Sequence, residues 1–224
     1  MLHKRLSVLI LLALLSAIAP VGAAFADGVI ILIPPPDVPI ERIPMLTIQY
    51  HRVDVSIDEQ VATTKIDQVF VNESGYELEG TYIFPLPENA AISEFAMYVD
   101  GERLEGDMLD RDEARRIYED IVRKQKDPAL LEYVGRNAFR ARIYPIPPHG
   151  EKRVQLEYTE VLTMDNGVVR YVYPLDTERF SAKPIEDVSI HVEINSQDAI
   201  KSIYSPSHDV AVDRSGDYHA AVGY

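Results

Sequence analysis

Short runs in which every second residue is apolar, cut apart by proline, Asp-Gly and Asn-Gly, confine most of this chain to strands. Leu46, Ile48 and Tyr50 alternate, and Val53, Val55 and Ile57 then alternate on the opposite parity. A one-residue bulge near His51-Arg52 reconciles the two runs, because a single extra residue swaps the sheet faces. After a turn at Asp58-Glu59 the strand pattern resumes from Val61 to Val71. Tyr76, Leu78, Gly80, Tyr82 and Phe84 share one parity up to Pro85-Leu86-Pro87, where missing backbone donors end the ladder. Phe95, Met97 and Val99 run into Asp100-Gly101, a pair suited to a type I′ hairpin turn, with Leu104 and Met108 on the return strand. Further strands are expected over Phe139 to Tyr144, Val154 to Leu162, Val168 to Tyr173 beyond the Asn166-Gly167 turn, and Val188 to Ile194.

One stretch departs from this period. Asp110 is placed to cap a helix in which Ala114, Ile117, Tyr118, Ile121 and Val122 recur at helical spacing, leaving Arg115, Arg116, Glu119 and Lys124 in water. Asp127-Pro128 opens a second short helical piece with Leu130, Leu131 and Tyr133. The fold class expected is mainly β: an antiparallel β-sandwich-like domain with one main amphipathic helix, about residues 110–125, inserted between strands.

The start of the chain reads as an address. His3, Lys4 and Arg5 precede an apolar run from Leu6 to Ala19, and Ala24-Phe25-Ala26 offers small residues for cleavage just before Asp27, the first acid. The run is short of the roughly 20 residues that cross a bilayer, so residues 1–26 are expected to be a cleaved signal peptide. The expected location is secreted or cell surface, with membrane contact only through the signal or a C-terminal anchor beyond Tyr224. Residues 27–43, with Pro34, Pro35, Pro36 and Pro39, read as a Pro-rich spacer. An exported chain without cysteine must be held by packing, and it has no thiol chemistry. The formal charge of −14 becomes more negative by two once Lys4 and Arg5 leave, so nucleic acid is not an expected partner.

Several separated segments occur in a recognisable order. They are Tyr82-Ile83-Phe84-Pro85-Leu86-Pro87, Phe95 and Met97 before the glycine turn, Glu113-Ala114-Arg115-Arg116-Ile117-Tyr118-Glu119, and Leu130-Leu131-Glu132. Asn137-Ala138-Phe139, Ile146-Pro147-Pro148 and Leu156-Glu157-Tyr158-Thr159-Glu160-Val161-Leu162 follow. This text resembles the vault protein inter-alpha-trypsin (VIT) domain over residues 44–163; Arg115 stands where that family more often has lysine. The resemblance implies a non-enzymatic module that serves a protein partner and is often followed by a von Willebrand factor A domain. Residues 164–224 are expected to add strands that lead toward such a domain, and Ala220 to Tyr224 reads as a stop inside or beside a strand of a longer protein.

Local chemistry is sparse. The metal-dependent adhesion site of a von Willebrand factor A domain needs Asp-x-Ser-x-Ser. Asp213-Arg214-Ser215-Gly216-Asp217 supplies the aspartate and first serine only, and Gly216 suits a plain turn. His208 and His219, with Asp209, Asp213 and Asp217, could meet across a hairpin and hold a metal, which motivates the alternative of a metal-dependent secreted hydrolase acting through the acidic C-terminal region. A polar turn is the simpler account. Glu77 with Glu79 and Glu119 with Asp120 read as solvated faces, and Asn72-Glu73-Ser74 has the form of a glycosylation sequon. No nucleophile elbow, phosphate loop or zinc-hydrolase motif occurs in the sequence. The expectation is therefore an exported, non-catalytic scaffold module, with no catalytic, cofactor-binding or metal-binding residue to name.

Overall fold

The computed structural model describes residues 28–87, 89–99, 101–105, 138–175 and 181–224. Two sheets face one another. The larger has eight strands: β2 (Thr47–Asp58), β3 (Val61–Val71), β5 (Ala91–Val99), β6 (Glu102–Glu105), β8 (Glu151–Val161), β11 (Asp187–Asn195), β12 (Ala211–Arg214) and β13 (His219–Gly223), in the order β12-β13-β11-β2-β3-β8-β5-β6. The smaller is β1-β4-β7, from β1 (Val29–Ile33), β4 (Leu78–Pro85) and β7 (Ala138–Ile146). A separate hairpin pairs β9 (Met164–Asp165) with β10 (Val168–Val169).

Alternation decides which side chains meet between the sheets. His51, Val53, Val55 and Ile57 on β2 lie opposite Gln68, Ile66, Thr64 and Ala62 on β3, and all are buried. Val154, Leu156 and Tyr158 on β8 continue the same rows. From the small sheet Tyr82 stacks on Phe95 at 5.9 Å and meets Phe70 edge-on at 6.2 Å, while Phe84 lies 5.9 Å from Tyr158 and Phe139 lies 4.8 Å from Phe95. Ring pairs at these separations add to the gain from burial, so this is where the fold is densest.

Local turn chemistry behaves as the sequence requires. Asn166 and Gly167 both take positive φ, 51° and 79°, as a two-residue I′ hairpin demands, and Gly101 does so at 82°. The parity swap in β2 is a register shift between Ile48 and Tyr50, slightly before the expected place. It turns Tyr50 outward and His51 inward.

The expected fold class needs correcting. Mainly β holds, but the described residues consist of strands with a single helical turn, Ile40–Arg42, in place of the expected fold with one main amphipathic helix. The apolar inner faces of the two sheets satisfy each other ring against ring, and among the described residues no helix lies between them. Residues 110–125, expected to supply the helix, and the helical piece after Asp127 lie outside the described residues, as does the signal segment 1–26. The sheet is also mixed, since β11 runs parallel to β2 from Asp187↔Tyr50 to Asn195↔Asp58. Finally, the expected spacer at 27–43 contains β1, which pairs with β4. Its uninterrupted Val29-Ile30-Ile31-Leu32 run is buried throughout, the signature of a strand covered on both faces.

Candidate functional site

The outer face of the large sheet carries a connected polar ladder. Tyr50, Asp67 and Arg153 come from neighbouring strands β2, β3 and β8, and pleating turns each away from the core. Arg153 donates to Asp67 through Nε at 2.8 Å and Nη2 at 2.5 Å, the two-pronged geometry that matches guanidinium to carboxylate. Asp67 also accepts from the Tyr50 hydroxyl at 3.1 Å and from Gln155 Nε2 at 3.1 Å. Burial alone pushes the Asp67 carboxyl up; the hydrogen bonds from Arg153, Gln155 and Tyr50 outweigh it, and the group sits below its ordinary value. The Tyr50 hydroxyl is pushed up to about 12 by partial burial and by the Asp67 charge.

Each guanidinium lies over a ring. Arg153 stacks 4.6 Å from the Tyr98 centroid, and Arg52, bonded to Asp187 on β11 at 2.5 Å, stacks 4.5 Å from that of Tyr50. Tyr98 in turn donates to Gln155 Oε1 at 2.9 Å. The result is a pre-ordered strip of tyrosine and arginine across five strands, the side-chain types that anchor protein interfaces.

Behind the same strands lies a buried polar network. Tyr82 donates to Gln68 Oε1 at 2.8 Å, Gln68 Nε2 lies 2.6 Å from His51 Nδ1, and His51 Nε2 lies 2.8 Å from the Tyr173 hydroxyl. A neutral imidazole that accepts at Nδ1 and donates at Nε2 fits these partners, and burial pulls His51 down to about 4. Gly28 passes so close that a Cβ there would overlap the Tyr82 hydroxyl. Tyr171 hydrogen-bonds Thr64 at 2.9 Å, so the segment after β10 is tied across β2 and β3 by two tyrosine hydroxyls. Tyr158 beside them is pushed up to about 12 by burial.

Beyond that strap the inner face of the large sheet opens. Ile190, Val192 and Ile194 on β11 are only partly buried, Val222 on β13 sits between Val192 and Val212, and Val212 on the edge strand β12 is 41% exposed. Tyr204, Tyr218 and Tyr224 are exposed in the same C-terminal region, with Tyr224 bonded both ways to the Ile190 backbone.

The residues singled out from the sequence are dispersed. Asp213 and Asp217 flank a plain hairpin turn with Gly216 at φ 85°, closed by Ser215 N donating to His219 O at 3.0 Å. His219 Nδ1 meets Asn195 Oδ1 at 2.7 Å, whereas His208 Nδ1 meets Ser207 at 2.9 Å and its ring packs on Tyr224. Among the described residues no three His, Asp or Glu side chains gather for a metal. Glu77 accepts from Tyr144 at 2.8 Å and Glu79 pairs with Arg142 at 2.6 Å; Glu119 and Asp120 lie outside the described residues.

The sequon is built into the fold. Asn72 is 1% exposed, its Nδ2 donates to Tyr76 O at 2.8 Å and Pro147 O at 2.9 Å, and its Oδ1 accepts from Ser74 N and Oγ. The amide is therefore a structural staple between two loops, with no room for a glycan. Sequence reasoning missed the outer ladder, whose only local trace is polar residues at the solvent-facing positions of three strands.

Such a fold defines a β-sandwich domain. The family profile of the vault protein inter-alpha-trypsin domain matches residues 48–158, and the chain carries a VIT domain. The mouse von Willebrand factor A domain-containing protein 5A is 29% identical over 60% of this chain and 17% of its own length. Mouse protein mono-ADP-ribosyltransferase PARP4 is 25% identical over 51% of this chain and 6% of its own. Human inter-alpha-trypsin inhibitor heavy chain H4 is 29% identical over 52% and 13%. This chain thus spans only a small part of each of these relatives. Among solved structures, the M1 zinc metallopeptidase of Deinococcus radiodurans aligns with TM-score 0.39 at 9% identity, over 80% of this chain and 39% of that one.

Proposed function

We propose that the protein is an exported, non-catalytic interaction module whose VIT sandwich supports a following adhesion-type von Willebrand factor A domain. The observation that carries this reading is the VIT domain itself, matched in relatives named for their von Willebrand factor A domains. Two features agree with it. The basic, apolar and small-residue segments of residues 1–26 have the order of a secretory signal. The tyrosine-arginine strip and the half-covered inner face of β11, β13 and β12 offer contact surface. The partner in this reading is protein, in the same chain or another.

Reading the coding sequence past Tyr224 tests the adhesion half. Asp-x-Ser-x-Ser within about a hundred residues, the size of one domain, is the expected result, and a stop codon directly after Tyr224 overturns it. Amino-terminal sequencing of the protein recovered outside the cytoplasm tests the export half. A chain beginning at Asp27 supports it; a chain kept inside with Met1 intact contradicts it.

A further inference from the structure

The turn between β9 and β10 is chemically unusual within this chain. Asn166 is the only asparagine in the sequence followed by glycine, and it sits exposed at the tip of a two-residue hairpin. The register pairs Asp165 with Val168, so the Gly167 nitrogen lies in the loop between them, outside the ladder. Nothing lies within 4 Å of the place a Gly167 Cβ would occupy, so the turn has open space in which to swing. The Asn166 amide makes one exposed hydrogen bond, Nδ2 to Asp165 Oδ1 at 3.0 Å.

We infer that Asn166-Gly167 is a site of spontaneous backbone-directed deamidation in the folded protein. The deprotonated Gly167 nitrogen attacks Asn166 Cγ, a nitrogen–carbon bond forms, the bond from Cγ to the carboxamide nitrogen breaks, and ammonia departs with a proton taken from solvent. Water then opens the five-membered imide at either carbonyl, giving aspartate or isoaspartate. No oxidant, metal or enzyme is needed. Glycine matters because it places no Cβ beside the attacking nitrogen and gives its backbone the freedom the closure requires.

The other described asparagines differ from it in burial, in hydrogen-bond partners or in the residue that follows. Asn72 is buried with its amide held by two loop carbonyls and precedes Glu73. Asn195 lies in β11 between β2 and β13, with its Oδ1 on His219, and precedes Ser196. Asn89 is exposed but precedes Ala90, whose methyl crowds the attacking nitrogen. Conversion at Asn166 places a carboxylate beside Asp165, and the isoaspartyl form lengthens the backbone of a turn whose two residues are both in the left-handed region. The hairpin leads directly into the strap that Tyr171 and Tyr173 tie to Thr64 and His51.

The test is incubation of the full chain in mildly alkaline buffer, folded and urea-unfolded in parallel, followed by mass spectrometry of the tryptic peptide Val154–Arg170. The expected result is amide-to-acid conversion at Asn166 many-fold faster than at Asn89 or Asn195 in the folded protein, with an isoaspartyl fraction in the product. The G167A chain, unfolded in urea so that its hairpin geometry is immaterial, should convert many-fold more slowly. Retention of Asn166 in the folded protein over a period in which the unfolded chain converts would overturn the inference, as would equal rates at Asn166 and Asn89.

Discussion

The half of the molecule where β3, β8 and β5 face the small sheet and the half formed by β11, β13 and β12 use the same alternating sequence pattern, yet among the described residues only the first is covered by a second sheet. In the closed half Tyr82, Phe84 and Tyr158 are fully buried, and their rings interlock. In the open half Ile190, Val192 and Val222 keep part of their surface in water. Both halves hang from one strand, since β2 is antiparallel to β3 on one side and parallel to β11 on the other. Hydrogen-bond ladders alone therefore do not distinguish them. The second layer does, and the difference separates a buried block from a surface still partly in water.

The comparison breaks most readily in the closed half. Phe84→Ala removes a fully buried ring from between the sheets and should cost about 3–5 kcal/mol in chemical denaturation. A loss below that of Val192→Ala would mean that the second layer does not set the difference.

Acid should reach the same block through His51. Its folded value of about 4 lies below the ordinary 6.5, so between those values the unfolded chain binds more protons. Stability is then fully present above the ordinary value and falls as pH drops toward the folded one, by up to about 3 kcal/mol. His51→Gln should flatten that part of a pH–stability profile, and an unchanged slope would place the titrating group elsewhere.

Asn72→Ala removes the amide's hydrogen bonds to the Tyr76 and Pro147 carbonyls and leaves the buried Ser74 N–H without its acceptor, and should cost about 1–3 kcal/mol. Mass spectrometry of the protein from a glycosylating host sharpens the point, with Asn72 expected unmodified. Val192→Ala in the open half carries the smallest effect, about 1 kcal/mol, because part of the side chain is already in water.

These contrasts were unequally legible in the residues. Turn chemistry is local, so the hairpins at Gly101 and Asn166-Gly167 and the bulge in β2 could be read from glycine and parity alone. The parallel join of β11 to β2 pairs residues about as far apart as Val53 and Ile190, and no local pattern specifies such a partner. Val29-Ile30-Ile31-Leu32 was open to misreading because a strand buried on both faces lacks alternation, and the neighbouring prolines suggested a spacer. The outer ladder was invisible for a related reason: Tyr50, Asp67 and Arg153 each look like ordinary surface residues until register sets them side by side. Asn72 shows the reverse, where a three-residue pattern with the form of a sequon turns out to be a buried staple between loops.

Native-state hydrogen exchange, resolved strand by strand, tests most directly the claim that one continuous sheet has a closed half and an open half. Amides of β3 and β8 should exchange only through global unfolding, those of β11 should be protected by the parallel ladder, and those of β12 and β13 should open at distinctly lower free energy. Equal protection from β3 to β12 would contradict the division into halves, and unprotected β11 amides would contradict the shared sheet.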